Sequence, residues 1–410
     1  MTETPAGQAA PPVPSDHIMG VYQRAPLAFE RGEGARLYTA DGTAYLDCLA
    51  GIAVNALGHS HPALTAALKA QADKLWHVSN IFTIPGQQAL AEALTQASFA
   101  DVVFFTNSGT EAIECAIKTA RKYHWANGQP ERIDIIGFEG SFHGRTIAAV
   151  NASGNASYLE GFGPPLPGFV HLPFGDLDAI RQAVGPTTAA ILLEPVQGEG
   201  GARAWPEAML QAIRQLCDET GTLLVYDEIQ CGLGRTGKLF AYEWAQGAEP
   251  DIMALAKALG GGFPVGACLA TAEAAKGMTP GSHGSTYGGN PLAMAVGLAA
   301  VGELTKPELM AHVNAVASYL TQQIAGLKDR FPDVVVDIRG RGLLIGVQLA
   351  TPNREFMQHA RDEQLLLAGG GDNCVRLLPP LVLTHEDARE AIEKLERACM
   401  RARAKARAAA

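Results

Sequence analysis

The chain has 410 residues, 47% apolar and 18% charged, enough to bury a large core and too apolar for a disordered protein. Lys and Arg number 32 against 42 Asp and Glu, a formal net charge of −10. Nucleic acid is thereby excluded as the main partner, because backbone phosphates need a basic face; small acidic metabolites need only a few local cations.

The cysteines Cys48, Cys115, Cys217, Cys231, Cys268, Cys374 and Cys399 are odd in number and form no CxxC pair, against both a disulfide framework and a thiolate zinc site. No apolar run reaches the roughly 18 residues of a membrane span. The start, MTETPAGQAAPPVPS, lacks the basic and apolar segments of a secretory signal. A cytoplasmic protein without membrane contact is expected.

In chain order, residues 1–15 read as a disordered tail and 16–60 as an N-terminal arm, with Asp41-Gly42 as a hairpin turn. Residues 61–307 read as a large domain. Its strands are predicted at Val102–Phe105, Asp134–Ile136, Ala190–Leu193, Leu223–Tyr226 and Gly266–Ala270, apolar runs suited to a parallel sheet covered by helices. After Pro291 a long helical stretch runs toward Leu327. Then come Val334–Ile338, Gly342–Leu349, a helix near Arg354–Gln364, the run Leu365–Ala368 and a last helix from about Glu386. The fold class is α/β: a large domain with a mostly parallel central sheet, and a smaller α+β C-terminal domain over 308–410. Ligands gather beyond the carboxyl ends of such strands.

TNSGTEA, Thr106–Ala112, follows one strand and opens a helix. Ser108 and Glu111 have capping-box spacing, so a well-capped helix is one reading. The other is an anion site, in which Gly109 lets the backbone approach and Ser108 and Thr110 add hydroxyls. Asp227 stands just past a buried strand, where a carboxylate is costly unless paired or well hydrogen-bonded. Lys257 lies in an apolar stretch beside three glycines. It either snorkels to the surface, the usual fate of a lone lysine, or has a depressed pKa and acts as a Schiff-base nucleophile.

Two patterns are set aside. Gly232–Gly237 fits GxGxxG and, with Lys238, GxxxxGK, but Leu239 replaces the hydroxyl that magnesium needs, and DEIQ separates the loop from its strand. His59 and His61 in GHSHP lack an evident third ligand, and Pro62 makes His61 a helix-entry residue. No metal is expected.

A phosphate cradle, a buried carboxylate and a candidate Schiff-base lysine together describe a site for pyridoxal 5'-phosphate. The strings GIAVNALGHSHP, NSGTEA, SFHGRT, EPVQGEGG, YDEIQCGLGRTG, KALGGGFP, HGSTYGGNP, RGRGLLIG and RLLPPLV occur in this order. From about Tyr22 to the end the chain resembles the class III, ornithine-type, pyridoxal-phosphate aminotransferases of fold type I, most of all their bacterial acetylornithine branch.

The resemblance implies roles. Lys257 carries the cofactor and shuttles the proton, and Asp227 pairs with the pyridine nitrogen. Gln230 bonds the phenolic oxygen, Phe142 stacks on the ring, and Ser108, Gly109, Thr110 and Glu228 complete the cofactor contacts. Ser285 and Thr286 reach the neighbouring subunit's site, Thr286 toward phosphate and Ser285 toward substrate, which implies a homodimer with shared active sites. Arg145 grips the substrate α-carboxylate. Arg376 is a second carboxylate site, and Glu199 masks it when an amine-bearing chain enters. Glu194 is an alternative structural acceptor, and Tyr22, a substrate-binding candidate, falls where both ornithine-specific and acetylornithine relatives can carry tyrosine, so it does not discriminate between them. The implied reaction moves the δ-amino group of N-acetylornithine to 2-oxoglutarate, giving N-acetylglutamate semialdehyde and glutamate; arginine synthesis would use the reverse. Succinylornithine, succinyldiaminopimelate, ornithine and 4-aminobutyrate are the rival donors. A same-fold mutase would need no 2-oxoglutarate, and a non-enzymatic relative would be expected to lack Lys257 or Asp227; both are present.

Overall fold

Seven strands form the central sheet in the order Val102–Thr106, Gly266–Ala270, Ile252–Leu255, Leu223–Asp227, Thr188–Leu193, Asp134–Phe138, Phe169–Leu172. The computed structural model describes residues 17–409. The tail expected over 1–15 therefore lies outside the described residues.

All five predicted strands are in this sheet, most of them a residue or two longer than predicted. Two more, Ile252–Leu255 and Phe169–Leu172, were hidden. The sheet is parallel apart from Gly266–Ala270, which runs antiparallel to both neighbours. Residues 256–265 connect it to Ile252–Leu255 through a short 3-10 turn and a run of glycines. That link is too short for the crossover a parallel pairing needs, which takes about a dozen residues or more.

The central strands bury both faces: every residue of Leu223–Asp227 and Thr188–Leu193 is buried. On one side the helix Gly109–Ala126 packs Ile113, Ala116, Ile117 and Ala120 against the sheet. On the other, Glu207–Thr220 buries Leu210, Ile213 and Cys217 and ends at Gly221, whose φ of 64° suits a residue without Cβ.

The expected hairpin joins Arg36–Thr39 to Ala44–Asp47. Leu365–Leu366, from the far end of the chain, then pairs in parallel with Ala44–Asp47. A second antiparallel sheet holds Val335–Arg341, Leu344–Leu349, Cys374–Leu377 and Ala368–Gly369. The helices Pro307–Arg330, Asn353–Asp362 and His385–Ala409 flank it. The long helical stretch is split in two by Pro307, into Pro291–Leu304 and Pro307–Arg330.

All seven cysteines are free thiols and buried. No helix among the described residues is long and apolar enough to cross a membrane.

Candidate active site

The carboxyl ends of the parallel strands open into a cavity of about 470 Å³. It is walled by residues 107–110, 142–145 and 262–265, with Val54, Glu194, Asp227, Ile229, Gln230 and Lys257. Fold order alone brings these distant segments together.

Ser108 caps the helix Gly109–Ala126, its hydroxyl accepting from the Glu111 N–H at 3.3 Å. Glu111 reaches back one residue further than a capping box, to the Asn107 N–H at 2.5 Å. Ser108, Gly109 and Thr110, at the start of the helix, line the cavity, and no hydrogen bond among the described residues is made by the Gly109 or Thr110 N–H. A Cβ on Gly109 would stand 2.9 Å from Ile229 Cδ1. One on Gly144 would stand 2.2 Å from Thr110 Oγ1. Both glycines are needed for this tight floor.

Asp227 ends its strand and is 2% exposed. Its Oδ2 lies 2.8 Å from His143 Nδ1, and its Oδ1 accepts from the Ile229 N–H at 3.0 Å. His143 is fully enclosed, and its Nε2 has no partner among the described residues. Glu194 lies alongside, its oxygens accepting from the Phe142 N–H at 2.9 Å and the Gly198 N–H at 3.1 Å. Burial pushes its carboxyl up to about 7; His143 opposes the rise and Asp227 adds to it.

Lys257 follows the strand Ile252–Leu255 with a φ of 45°, a left-handed conformation that L-residues adopt at a cost. Burial pushes its ammonium pKa down to about 8; Glu199 and Asp227 pull it up, and Arg376 pushes it further down. A fraction of the amine is therefore neutral near neutral pH, unlike a surface lysine.

Arg376 lies in the strand Cys374–Leu377 and is 1% exposed. Glu199 covers it at 2.7 Å. Its Nη1 also donates to Gln230 Oε1 at 3.0 Å, and its Nε and Nη2 donate to the Gly369 carbonyl at 3.0 and 2.6 Å. Arg145 is the opposite case. Its guanidinium forms no ion pair or hydrogen bond among the described residues and lies against the rings of Tyr158 and Phe142, 4.0 and 5.2 Å away.

Some of the residues named from the sequence stand elsewhere. Glu228 was expected among the cofactor contacts, but its carboxylate turns away from the cavity. It accepts from the Ala241 and Tyr242 N–H groups at 2.6 and 2.8 Å, and burial raises it to about 8. Ser285 and Thr286 do not line the cavity of their own chain: Ser285 Oγ accepts from Asn107 Nδ2 at 3.3 Å, and Thr286 is exposed. Tyr22 is 71% exposed and also outside it. His59 is spent on Asp47 at 2.7 Å. Arg235, within the glycine-rich decoy, is buried and donates to the Leu343 and Pro379 carbonyls.

Sequence reasoning missed His143, Val54 and Tyr158. His143 was within reach, since it adjoins Phe142 in a motif already singled out. Val54 and Tyr158 carried no such signal.

The residues present fit pyridoxal phosphate: an N–H cradle that any side chain at Gly109 would crowd, a buried carboxylate for a ring nitrogen, and a lysine of lowered pKa. Fold and site together define a pyridoxal-phosphate-dependent enzyme. Residues 19–399 match the family described as aminotransferase class-III, and the chain belongs to it. Its members use pyridoxal 5'-phosphate. The chain is 72% identical to acetylornithine aminotransferase 2 of Caulobacter vibrioides, over 96% of this chain and 97% of that one. It superposes on the N-acetylornithine aminotransferase of Stenotrophomonas maltophilia with a TM-score of 0.82 at 39% identity, covering 94% of this chain and 98% of that one. The ornithine aminotransferase of Toxoplasma gondii, in a structure reported with pyridoxal phosphate at partial occupancy, gives a TM-score of 0.89 at 33% identity, over 94% and 93% of the two chains.

Proposed function

We propose that this aminotransferase moves the δ-amino group of N-acetylornithine to 2-oxoglutarate, yielding N-acetylglutamate semialdehyde and glutamate, with arginine synthesis as its setting. The observation that carries this reading is the unequal pair of arginines. Arg145 is free of any acid partner, while Arg376 is covered by Glu199 at 2.7 Å. A donor with one carboxylate at its far end needs only Arg145. A dicarboxylate acceptor needs both, and displaces Glu199 to reach the second.

When bound, pyridoxal phosphate supplies an aldehyde that takes up the amine and a ring that draws off electrons from the carbon bearing it. The helix-start N–H groups at Gly109 and Thr110 would hold the phosphate. Asp227 would hold a proton on the ring nitrogen, its own position fixed by His143 at 2.8 Å. Phe142 and Ile229 would flank the ring, and the free N–H of the Gln230 amide would serve its phenolic oxygen. Lys257 would hold the cofactor's aldehyde carbon between turnovers, and its freed amine would take the proton from the substrate carbon and give one back.

Ser285 and Thr286 serve a second copy of the chain. Around them Trp76, Ile81, Phe82 and Tyr287 are 64%, 82%, 61% and 63% exposed, an apolar surface that pairing of two subunits would cover. His77 and Tyr287 touch at 5.2 Å, so both segments belong to one patch. The homodimer is cytoplasmic in this reading.

The experiment is a half-reaction. The cofactor-loaded protein, given N-acetylornithine without an oxo acid, should release one equivalent of semialdehyde per subunit and then stop until 2-oxoglutarate is added. Parallel runs use ornithine, succinylornithine, succinyldiaminopimelate and 4-aminobutyrate. Preference for another donor keeps the mechanism and overturns the donor; continued turnover without 2-oxoglutarate overturns the transfer.

A further inference from the structure

The Arg145 guanidinium has five N–H donors and no acceptor among the described residues. What keeps it in place is aromatic. Its carbon lies 4.0 Å from the centre of the Tyr158 ring, closer than to Phe142 at 5.2 Å. Tyr158 is in turn braced by Phe142, their rings edge-on with centroids 6.0 Å apart. The Tyr158 hydroxyl forms no hydrogen bond among the described residues, so its contribution here is its face, not its oxygen. Tyr158 also lines a second cavity of about 520 Å³ with Asn155, Glu199 and Arg203. One face of the ring lies against Arg145, and Arg145 itself lines the first cavity.

We infer that Tyr158 is a positioning residue for substrate carboxylates: its ring holds the Arg145 guanidinium flat and leaves every donor free. The inference rests on the proposed role of Arg145. An ion pair would fix the arginine equally well but would have to be broken for each substrate; a π face costs no donor. Binding of the carboxylate gains from the pre-set geometry, while the proton transfers at Lys257 do not involve it. Tyr158 lies in a short 3-10 turn, Ala156–Tyr158, set by the Asn155 side chain, which accepts from the Ser157 N–H at 3.0 Å.

The test compares Tyr158→Phe, Tyr158→Leu and Tyr158→Ala, with steady-state constants for 2-oxoglutarate measured on whichever donor the wild-type chain uses. The leucine and alanine variants should raise KM about three- to fivefold, the scale of one cation–π contact at an exposed arginine, with kcat within about twofold. Phenylalanine should keep KM near the wild-type value. A leucine variant as good as phenylalanine would reduce Tyr158 to packing and overturn the inference, as would a loss confined to kcat. Failure of the N-acetylornithine reading appears separately, as a wild-type chain that ignores that donor.

Discussion

Arg376 and Gln230 share a 3.0 Å hydrogen bond across the seam between the C-terminal sheet and the loop that follows Asp227. The arginine that Glu199 covers is thereby tied to a residue of the cofactor cavity. Two further bonds run to the Gly369 carbonyl, and none of the three involves Glu199. On the gating proposed above, Glu199 can leave while these bonds hold the arginine in place.

Replacing Arg376 with alanine should therefore strike the two half-reactions unequally. The step with 2-oxoglutarate should lose about 10²-fold or more in kcat/KM, the scale of a charged contact worth about 3 kcal/mol. The step with N-acetylornithine should fall by less than about tenfold. Rapid mixing of each substrate with the enzyme, followed by absorbance, separates them; equal losses would remove the gate from the mechanism.

Lys257 is pushed down to about 8 by burial. Only the neutral amine attacks an aldehyde, so below that value the reactive fraction falls about tenfold per pH unit, and above it the fraction levels off. Uptake of pyridoxal phosphate by cofactor-free protein should accordingly rise from pH 6 to about 8 and flatten beyond. A rise continuing to pH 10 would mean an ordinary lysine. Lys257→Ala should abolish turnover and leave the melting temperature nearly unchanged.

Asp227→Asn keeps the shape but removes the charge that, in the proposed mechanism, would face the ring nitrogen, and that lies 2.8 Å from His143. Turnover should fall by about 10²-fold or more. Circular dichroism and cofactor content, measured alongside, should stay near wild type; loss of the cofactor itself would assign Asp227 to retention instead.

Asp47 is 1% exposed and accepts from the Leu49 and Ala50 N–H groups at 2.9 and 2.8 Å as well as from His59. It anchors a turn in which Ala50, Gly51, Ile52 and Ala53 all have positive φ. Asp47→Ala should cost about 2–4 kcal/mol in urea unfolding, since it orphans buried donors beneath a strained turn. Because Val54 of the cavity wall follows directly, activity should fall below what stability alone explains.

Four of the five strands legible in the sequence are buried on both faces or nearly so, where an unbroken apolar run is the signature; the fifth, Val102–Thr106, is an edge strand that carries the same apolar run. Phe169–Leu172 was not legible, because it is an edge strand with a half-exposed pattern. Ile252–Leu255 is only four residues long and its apolar run continues through Ala256, Ala258 and Leu259, so composition alone does not separate it from a buried helix. The reversed direction of Gly266–Ala270 depends on the length of its connection, not on composition. In the site, Asp227 and Lys257 stood out as charges at the ends of apolar runs. Glu228 was misplaced by adjacency: consecutive residues leave a strand toward opposite sides, so the neighbour of a cavity residue faces away from it. Tyr158 was illegible because its contact with Arg145 depends on how a loop folds back, which no local pattern encodes.

The pairing of Leu365–Leu366 with Ala44–Asp47 bears on how the protein is made. The arm leaves the ribosome before the central sheet, yet the strand that completes its own sheet emerges about 320 residues later. Until then Leu46, fully buried in the finished molecule, has nothing to close over it on that edge. A chain released early would carry an assembled central sheet and an open, sticky strand at its beginning. Chains cut short before Leu365 should therefore aggregate or be degraded faster than the full chain, with the unpaired Ala44–Asp47 strand as the exposed edge.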